Sequence, residues 1–418
     1  MLKRSALVPG VLAAILTSAL VMSAPIGSAT TGGAEGAAGH PGPGVSSAAA
    51  TPCMDAAEQP VRSEAVFNNP AEGEPATIVA RICDLIHQAP AGSRIHAAVF
   101  VVSGESGADF AEALIAAHRR GVDVQVVLDG GFRNENAAVD ALIDELGTDR
   151  SADSWIHLCT GPVVGGTAAC IGNKGMHNKF YLFSETGGAK NVVVNSSANL
   201  TDLNSTTYWN AAVTLVGNKR LYGAHLDYFV DLADETKDTD YYRTVTTGSR
   251  DGAVHAHFFP RAGDDASTDT IVELLEPVEC AGGATGETTI RIGMSEWSTY
   301  RIAIADRLAE LAGEGCSIEV VHGVINAPVR NLLAATPGVE LYALDQGGEL
   351  PGRIHSKYML IEGGYDGDDD ARWVFAGSPN YNETSLRNND EVLLRMNSGA
   401  IYDQYVSNFA EMVDAVQP

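Results

Sequence analysis

Positive charge is scarce in this chain: 27 lysines and arginines stand against 53 aspartates and glutamates, a formal net charge of -26 over 418 residues. A surface that acidic repels a polyanion unless a basic groove is reserved for it, so nucleic acid is disfavoured as a partner. Long apolar runs are missing too: beyond the N-terminus nothing approaches the roughly 18 to 20 apolar residues of a membrane-spanning helix. Cysteine occurs only six times, at Cys53, Cys83, Cys159, Cys170, Cys280 and Cys316, and none of the spacings fits a zinc site. The glycine-rich stretch 161–175 precedes a strand rather than a helix, which argues against a nucleotide fingerprint and for an Ω-like loop pinned by Cys159 and Cys170.

What is present begins with Lys3, Arg4, an apolar run over residues 6–22 and the small residues Gly27 and Ala29. These are the parts of a secretory signal peptide covering residues 1–29, with an uncleaved anchor as the alternative. A secreted, extracellular protein is therefore expected, and cysteines in even number suit that oxidising compartment. The local pairs Cys53 with Cys83, Cys159 with Cys170 and Cys280 with Cys316 would each close a modest loop and are the expected disulfides; buried free thiols are the plainer alternative.

Residues 30–60 are expected to be a flexible linker, because Gly, Ala, Ser, Thr and Pro dominate 30–52 and cannot repay the entropy of ordering. From Val61 onward short β-branched runs alternate with amphipathic stretches: IHAAVFVV, a helix around 110–120, VDVQVVLD, a helix near 136–146, WIHL, KFYLF, NVVVNSS and NAAVTLV. The second half repeats the order with TIRIGM, a helix over 300–311, SIEVVHG, a helix over 328–335, VELYAL, KYMLI, RWVFAGS and EVLLRM. Each half closes on a helix, at 219–232 and 401–416. The expected fold class is α/β, with two similar lobes at 61–245 and 246–418, each a mixed β-sheet flanked by helices and related by a pseudo-twofold axis.

The chemistry sits in matching places of the two halves. His177-Asn178-Lys179 opens one apolar strand and His355-Ser356-Lys357 opens another. Side chains two apart on a strand share a face, so each His and Lys project together. With 11 histidines in the chain, chance predicts about 0.2 such pairs. One pair alone would read as a solvated strand end; two in register do not. Each is followed by a small-polar turn, Ser196-Ser197-Ala198-Asn199 and Gly377-Ser378-Pro379-Asn380, whose hydroxyls, carboxamides and N–H groups suit phosphoryl oxygens.

H-x-K followed by a G-S-x-N-type turn, present twice, resembles the signature of the phospholipase D superfamily, and the resemblance covers both lobes. It implies a phospholipase D-like fold, a cleft between the lobes, His177 as nucleophile and His355 as acid and base. The sequence departs from the pattern at Ser184 and Glu362, where the family has an aspartate that looks structural. Eleven residues beyond each motif asparagine the family often has an acidic residue; the second lobe keeps Glu391 and the first has Asn210. Glu391 is thus the expected orienting carboxylate.

The residue types lead to the same chemistry. A phosphodiester needs a nucleophile at phosphorus, a proton for the departing alkoxide and positive charge on the non-bridging oxygens. Two histidines supply the first two, and Lys179 and Lys357, with Ser197, Asn199, Ser378 and Asn380 binding substrate, supply the third. No metal and no cofactor is required. His255 and His257 read as strand or inter-lobe contacts rather than ligands, and Asp366, Asp368, Asp369 and Asp370 as a charged hairpin tip rather than a calcium loop. Trp209, Trp297, Tyr300 and Tyr381 are candidates for a lipid entrance, with core packing as the alternative. The expected function is a secreted phospholipase D-type hydrolase, with transfer to other alcohols as a second outcome. It would act as a monomer on phospholipid at a transiently contacted membrane surface. A secreted nuclease of the same superfamily and a non-catalytic lipid or surface binder are the rivals.

Overall fold

In the computed structural model, which describes residues 52–248, 252–284 and 286–417, the chain lays down one sheet pattern twice. The segment read as a signal peptide, residues 1–29, and residues 30–51 of the expected linker lie outside the described residues. The first lobe runs β1 (Glu64–Phe67), α1 (Thr77–His87), β2 (Arg94–Val99), α2 (Gly104–Arg119), β3 (Asp123–Leu128), α3 (Ala137–Leu146) and β4 (Trp155–Leu158). It continues through β5 (Lys179–Thr186), β6 (Ala189–Ser196), β7 (Tyr208–Trp209), β8 (Ala211–Leu215) and α4 (Lys219–Ala233). The second runs β9 (Arg243–Thr247), β10 (Val254–Phe259), α5 (Thr270–Leu275), β11 (Val278–Glu279), β12 (Thr289–Trp297), α6 (Ile302–Glu314), β13 (Ser317–Ile325), α7 (Ala327–Ala335) and β14 (Val339–Ala343). It ends with β15 (Arg353–Ile354), β16 (Lys357–Tyr365), β17 (Asp368–Gly377), α8 (Glu383–Arg387), β18 (Glu391–Asn397) and α9 (Gly399–Val416).

The duplication is visible in strand order. The first sheet is β1-β8-β6-β5-β2-β3-β4 and the second contains β10-β18-β17-β16-β12-β13-β14, the same arrangement with β10 in the place of β1 and β9 added beyond it. In both, three strands are parallel (β2, β3, β4; β12, β13, β14) and the strand opened by H-x-K pairs antiparallel with the first of them. These central strands are buried along nearly their whole length, which is why they read as continuous apolar runs rather than alternating ones. The antiparallel register sets Lys179 opposite Val99 and Lys357 opposite Met294, so both H-x-K pairs sit at the C-terminal end of the parallel strands.

A shared apolar core joins the two sheets: Phe180, Trp209 and Tyr228 of the first lobe cluster with Tyr358, Tyr402 and Tyr405 of the second. Two flanking cores lie under α1–α3 and under α5–α7. Short backbone contacts cross between lobes. β7 pairs in parallel with β15, setting Trp209 beside Ile354, and Met176 bridges Asp390. Glycine is required at this junction, since a Cβ on Gly172 would lie 2.3 Å from the Asn388 carbonyl oxygen.

The three expected disulfides are all formed, Cys53–Cys83, Cys159–Cys170 and Cys280–Cys316. The first corrects the linker's extent: Cys53 is tied to α1, and Arg81 donates to the Pro60 carbonyl at 2.9 Å, so residues 53–60 are docked rather than free. Helix α1 and strand β1 went unread because their apolar residues follow a linker-like composition. Asp366 and Gly367 form the positive-φ tip of the β16–β17 hairpin, with Asp366 paired to Arg395 at 2.9 Å. His255 and His257 lie on β10, bonded to Thr246 and Tyr242 hydroxyls. The lipid-entrance expectation fails for three of its four aromatics. Trp209, Trp297 and Tyr381 are at most 3 % exposed, the two indoles donating to the Pro351 and Arg301 carbonyls, and only Tyr300 reaches solvent.

Candidate active site

Each histidine is held by the opposite lobe. The backbone N–H of His177 donates to the Asp390 carbonyl at 2.9 Å, and that of His355 to the Trp209 carbonyl at 2.7 Å. The residue after each acceptor then meets the imidazole: Glu391 lies 2.9 Å from His177 Nδ1, and Asn210 Oδ1 lies 2.9 Å from His355 Nδ1. A carboxylate and a carbonyl oxygen can only accept, so both Nδ1 atoms carry the proton and both Nε2 atoms keep a lone pair.

The motif serines complete this arrangement rather than facing a ligand. Ser197 Oγ donates to Asn210 Oδ1 at 2.9 Å and accepts from Ala211 N–H at 3.0 Å; Ser378 Oγ accepts from Val392 N–H at 3.2 Å and bonds the Glu391 carboxylate. Both serines are buried with their hydroxyls engaged by these partners. The side-chain oxygens of Asn199 and Asn380 have no hydrogen-bond partner, and Asn380 lines the cavity beside His177.

Lys179 Nζ donates to the His177 carbonyl at 2.6 Å and Lys357 Nζ to the His355 carbonyl, so each ammonium curls back beside its own histidine. Burial, and the repulsion of cations gathered in one place, depress these groups. His177 is lowered to about 4 chiefly by burial, against the raising effect of Glu391, and Lys179 to about 7. His355 and Lys357 are pushed well below their ordinary values by burial and by neighbouring lysines. Glu391 goes the other way: burial works to raise it, yet His177 and Lys179 hold it below the usual carboxylate range. Burial thus favours neutral imidazoles, beside a Glu391 held ionised. A phosphate anion placed among the lysines would offset this repulsion and favour protonation of the imidazoles.

Several supporting residues carried no readable signal. Phe100 sets its ring 4.6 Å from the His177 ring and 4.8 Å from Lys179 Nζ, and Tyr208 stacks on His355 at 5.6 Å. Two buried aspartates pin the loop that leads into His177. Asp129 accepts from the N–H groups of Gly131, Ala168 and Met176, and Asp390 from those of Cys170, Ile171 and Gly172. Burial raises the first to about 6 and the second to about 7. The departures Ser184 and Glu362 stand away from this chemistry: Ser184 accepts from Arg94 N–H at 2.8 Å, and Glu362 pairs with Arg291 at 3.6 Å. Beside His177 opens a cavity of about 300 Å3, walled by Phe100, Arg133, Lys174, Glu296 and Asn380 among others. The expected Ω-like loop forms one side of it through Gly165, Thr167 and Gly175.

A duplicated mixed sheet that brings one H-x-K pair from each half to a single buried junction is the architecture of a phosphodiesterase of the phospholipase D superfamily. The chain belongs to the phospholipase D-like family described as "Cardiolipin synthase, PLD-like domain", whose profile matches residues 82–230 and 283–413, one segment in each lobe. A phosphatidylserine synthase from Haemophilus influenzae is similar in structure, with a TM-score of 0.57 at 12% identity, covering 85% of this chain and 87% of that one. A polyphosphate kinase from Porphyromonas gingivalis is similar with a TM-score of 0.53 at 12% identity; 84% of this chain is covered but only 50% of the kinase, so the chain spans half of that protein. At such identity the likeness is one of fold. No curated protein matches the sequence.

Proposed function

We propose that the protein is a secreted phospholipase D-type enzyme that hydrolyses phospholipids through a phosphohistidine on His177. The observation that carries the reading is the unequal support of the two histidines, a carboxylate behind His177 and a neutral carboxamide behind His355. Phosphorylated imidazole with its Nδ1 proton retained is a cation, and an adjacent carboxylate stabilises it. A residue that only passes a proton back and forth has less need of one.

In the first step His177 Nε2 attacks phosphorus, the bond to the head-group oxygen breaks, and His355 delivers its Nε2 proton to that oxygen. In the second, His355 takes a proton from water, the oxygen attacks phosphorus and the P–N bond breaks, returning both histidines to their starting states. An acceptor alcohol in place of water gives transfer. Lys179, Lys357, Asn199 and Asn380 hold the non-bridging oxygens. The net charge of -26 favours lipid over nucleic acid, and three disulfides favour an oxidising compartment. No helix among the described residues is long and apolar enough to cross a membrane. Product analysis with phosphatidylcholine and single-stranded DNA side by side tests the substrate. Choline and phosphatidic acid are expected, with retention at a chiral phosphorus. DNA cleavage well above choline release would reverse the assignment.

A further inference from the structure

Nine large apolar side chains are exposed among the described residues, and only Met54 and Val230 stand away from the end of the sheets where the histidines lie. Three of the remainder form one cluster. Phe132, 61 % exposed, follows β3 in the 3-10 turn Phe132–Asn134; Val163 and Val164, 58 % and 44 % exposed, follow β4. The two segments touch, since a Cβ on Gly166 would fall 2.2 Å from the Phe132 ring, and Val164 N–H is tied to the Thr167 carbonyl at 2.8 Å. Their sequence neighbours Arg133, Gly165 and Thr167 line the cavity beside His177.

We infer that this cluster is the surface by which the protein docks on a phospholipid bilayer, with Phe132, Val163 and Val164 entering the lipid. The inference rests on the proposed function. Two further observations favour lipid as the occupant. The tips are held out on a stiff base, because the Cys159–Cys170 disulfide, Asp129 and Asp390 fix the loop behind them, so solvent exposure is built in. Inward of the tips, on the wall of that cavity with Glu296, stand Arg133 and Lys174, neither in a salt bridge among the described residues; Lys174 Nζ donates to the Thr384 hydroxyl at 3.3 Å and Arg133 lies over Phe100. In so acidic a protein, unpaired cations one layer behind apolar tips match the order of a bilayer surface, where acyl chains lie beneath phosphates. The cavity whose wall includes their sequence neighbours also holds His177, so a head group entering beside the tips meets the histidine.

The test uses the full secreted chain, phosphatidylcholine vesicles and monomeric dihexanoylphosphatidylcholine. Phe132→Ser combined with Val164→Ser should weaken vesicle co-sedimentation and vesicle turnover by at least about tenfold, given the apolar area removed. Turnover of the monomeric lipid should be unchanged, which also shows that the variant is folded. Val163→Trp should bind vesicles more tightly and shift its emission to the blue on binding. Wild-type binding with no loss in the double variant and no shift in Val163→Trp would overturn the docking surface and leave the proposed function intact. Monomer cleavage without vesicle binding would do the same and hand the face to a protein partner. Vesicle binding through these residues with no cleavage of either lipid would keep the docking surface and overturn the function.

Discussion

Replacing Asn210 by Asp converts the support of His355 into a copy of that of His177, and the change should move one limb of the pH profile only. In the native site the His355 Nδ1 proton is bonded to a neutral oxygen at 2.9 Å. A carboxylate at that distance favours imidazolium and raises an imidazole by about one to two pH units. His355 must be protonated in the substrate complex to release the alcohol, so kcat falls at high pH where it loses its proton. A raised value keeps it protonated further, and the descending limb should move up by about one to two units. The ascending limb, set by His177 needing to be neutral, should stay. Plateau kcat should fall several-fold, because His355 becomes a weaker acid and the donors to Asn204 at 3.2 Å and the Tyr208 carbonyl at 3.3 Å are lost. The assay is head-group release across pH 4 to 10, with Tm recorded alongside. Glu391→Gln is the mirror case: losing the charge that raises His177 should move the ascending limb down. A shift of the ascending limb in the Asn210 variant would refute the assignment of roles.

Three further outcomes follow from other parts of the structure. Non-reducing peptide mapping should find the pairs 53–83, 159–170 and 280–316, and removing the last, which closes a 36-residue separation, should cost about 3 to 4 kcal/mol in denaturant unfolding. Asp390→Ala strands three backbone donors at the lobe junction. It should therefore cost at least about 2 kcal/mol and depress kcat by loosening the segment that carries His177. With lysines supplying the charge, EDTA should leave turnover unchanged; loss that added calcium or zinc restores would contradict this.

Much of this was legible because the duplication repeats its chemistry at fixed offsets. Two H-x-K pairs, two polar turns and the eleven-residue step to Asn210 and Glu391 survive any uncertainty about loops. The crossed support did not show. Whether Glu391 reaches His177 or His355 depends on Asp390 lying beside Met176 and Trp209 beside Ile354, pairings across more than 140 residues that no local pattern encodes. Asn210 accordingly read as a departure, whereas it is the acceptor for His355. The serines read as ligands because Ser, Gly and Asn suit phosphate; their burial behind the orienting residues is a tertiary fact. Asp129 and Asp390 were invisible because a lone aspartate at a strand end is ordinary, and only the three N–H groups converging on each mark it.

The central claim is that His177 becomes phosphorylated while His355 handles the proton, and a single-turnover experiment meets it directly. A p-nitrophenyl phosphodiester needs little protonation of its leaving group. His355→Asn should therefore release one equivalent of p-nitrophenol and stall, with phosphate found by mass spectrometry on the peptide carrying His177, while His177→Asn releases none. A burst from the His177 variant, or phosphate on the peptide carrying His355, would contradict the account.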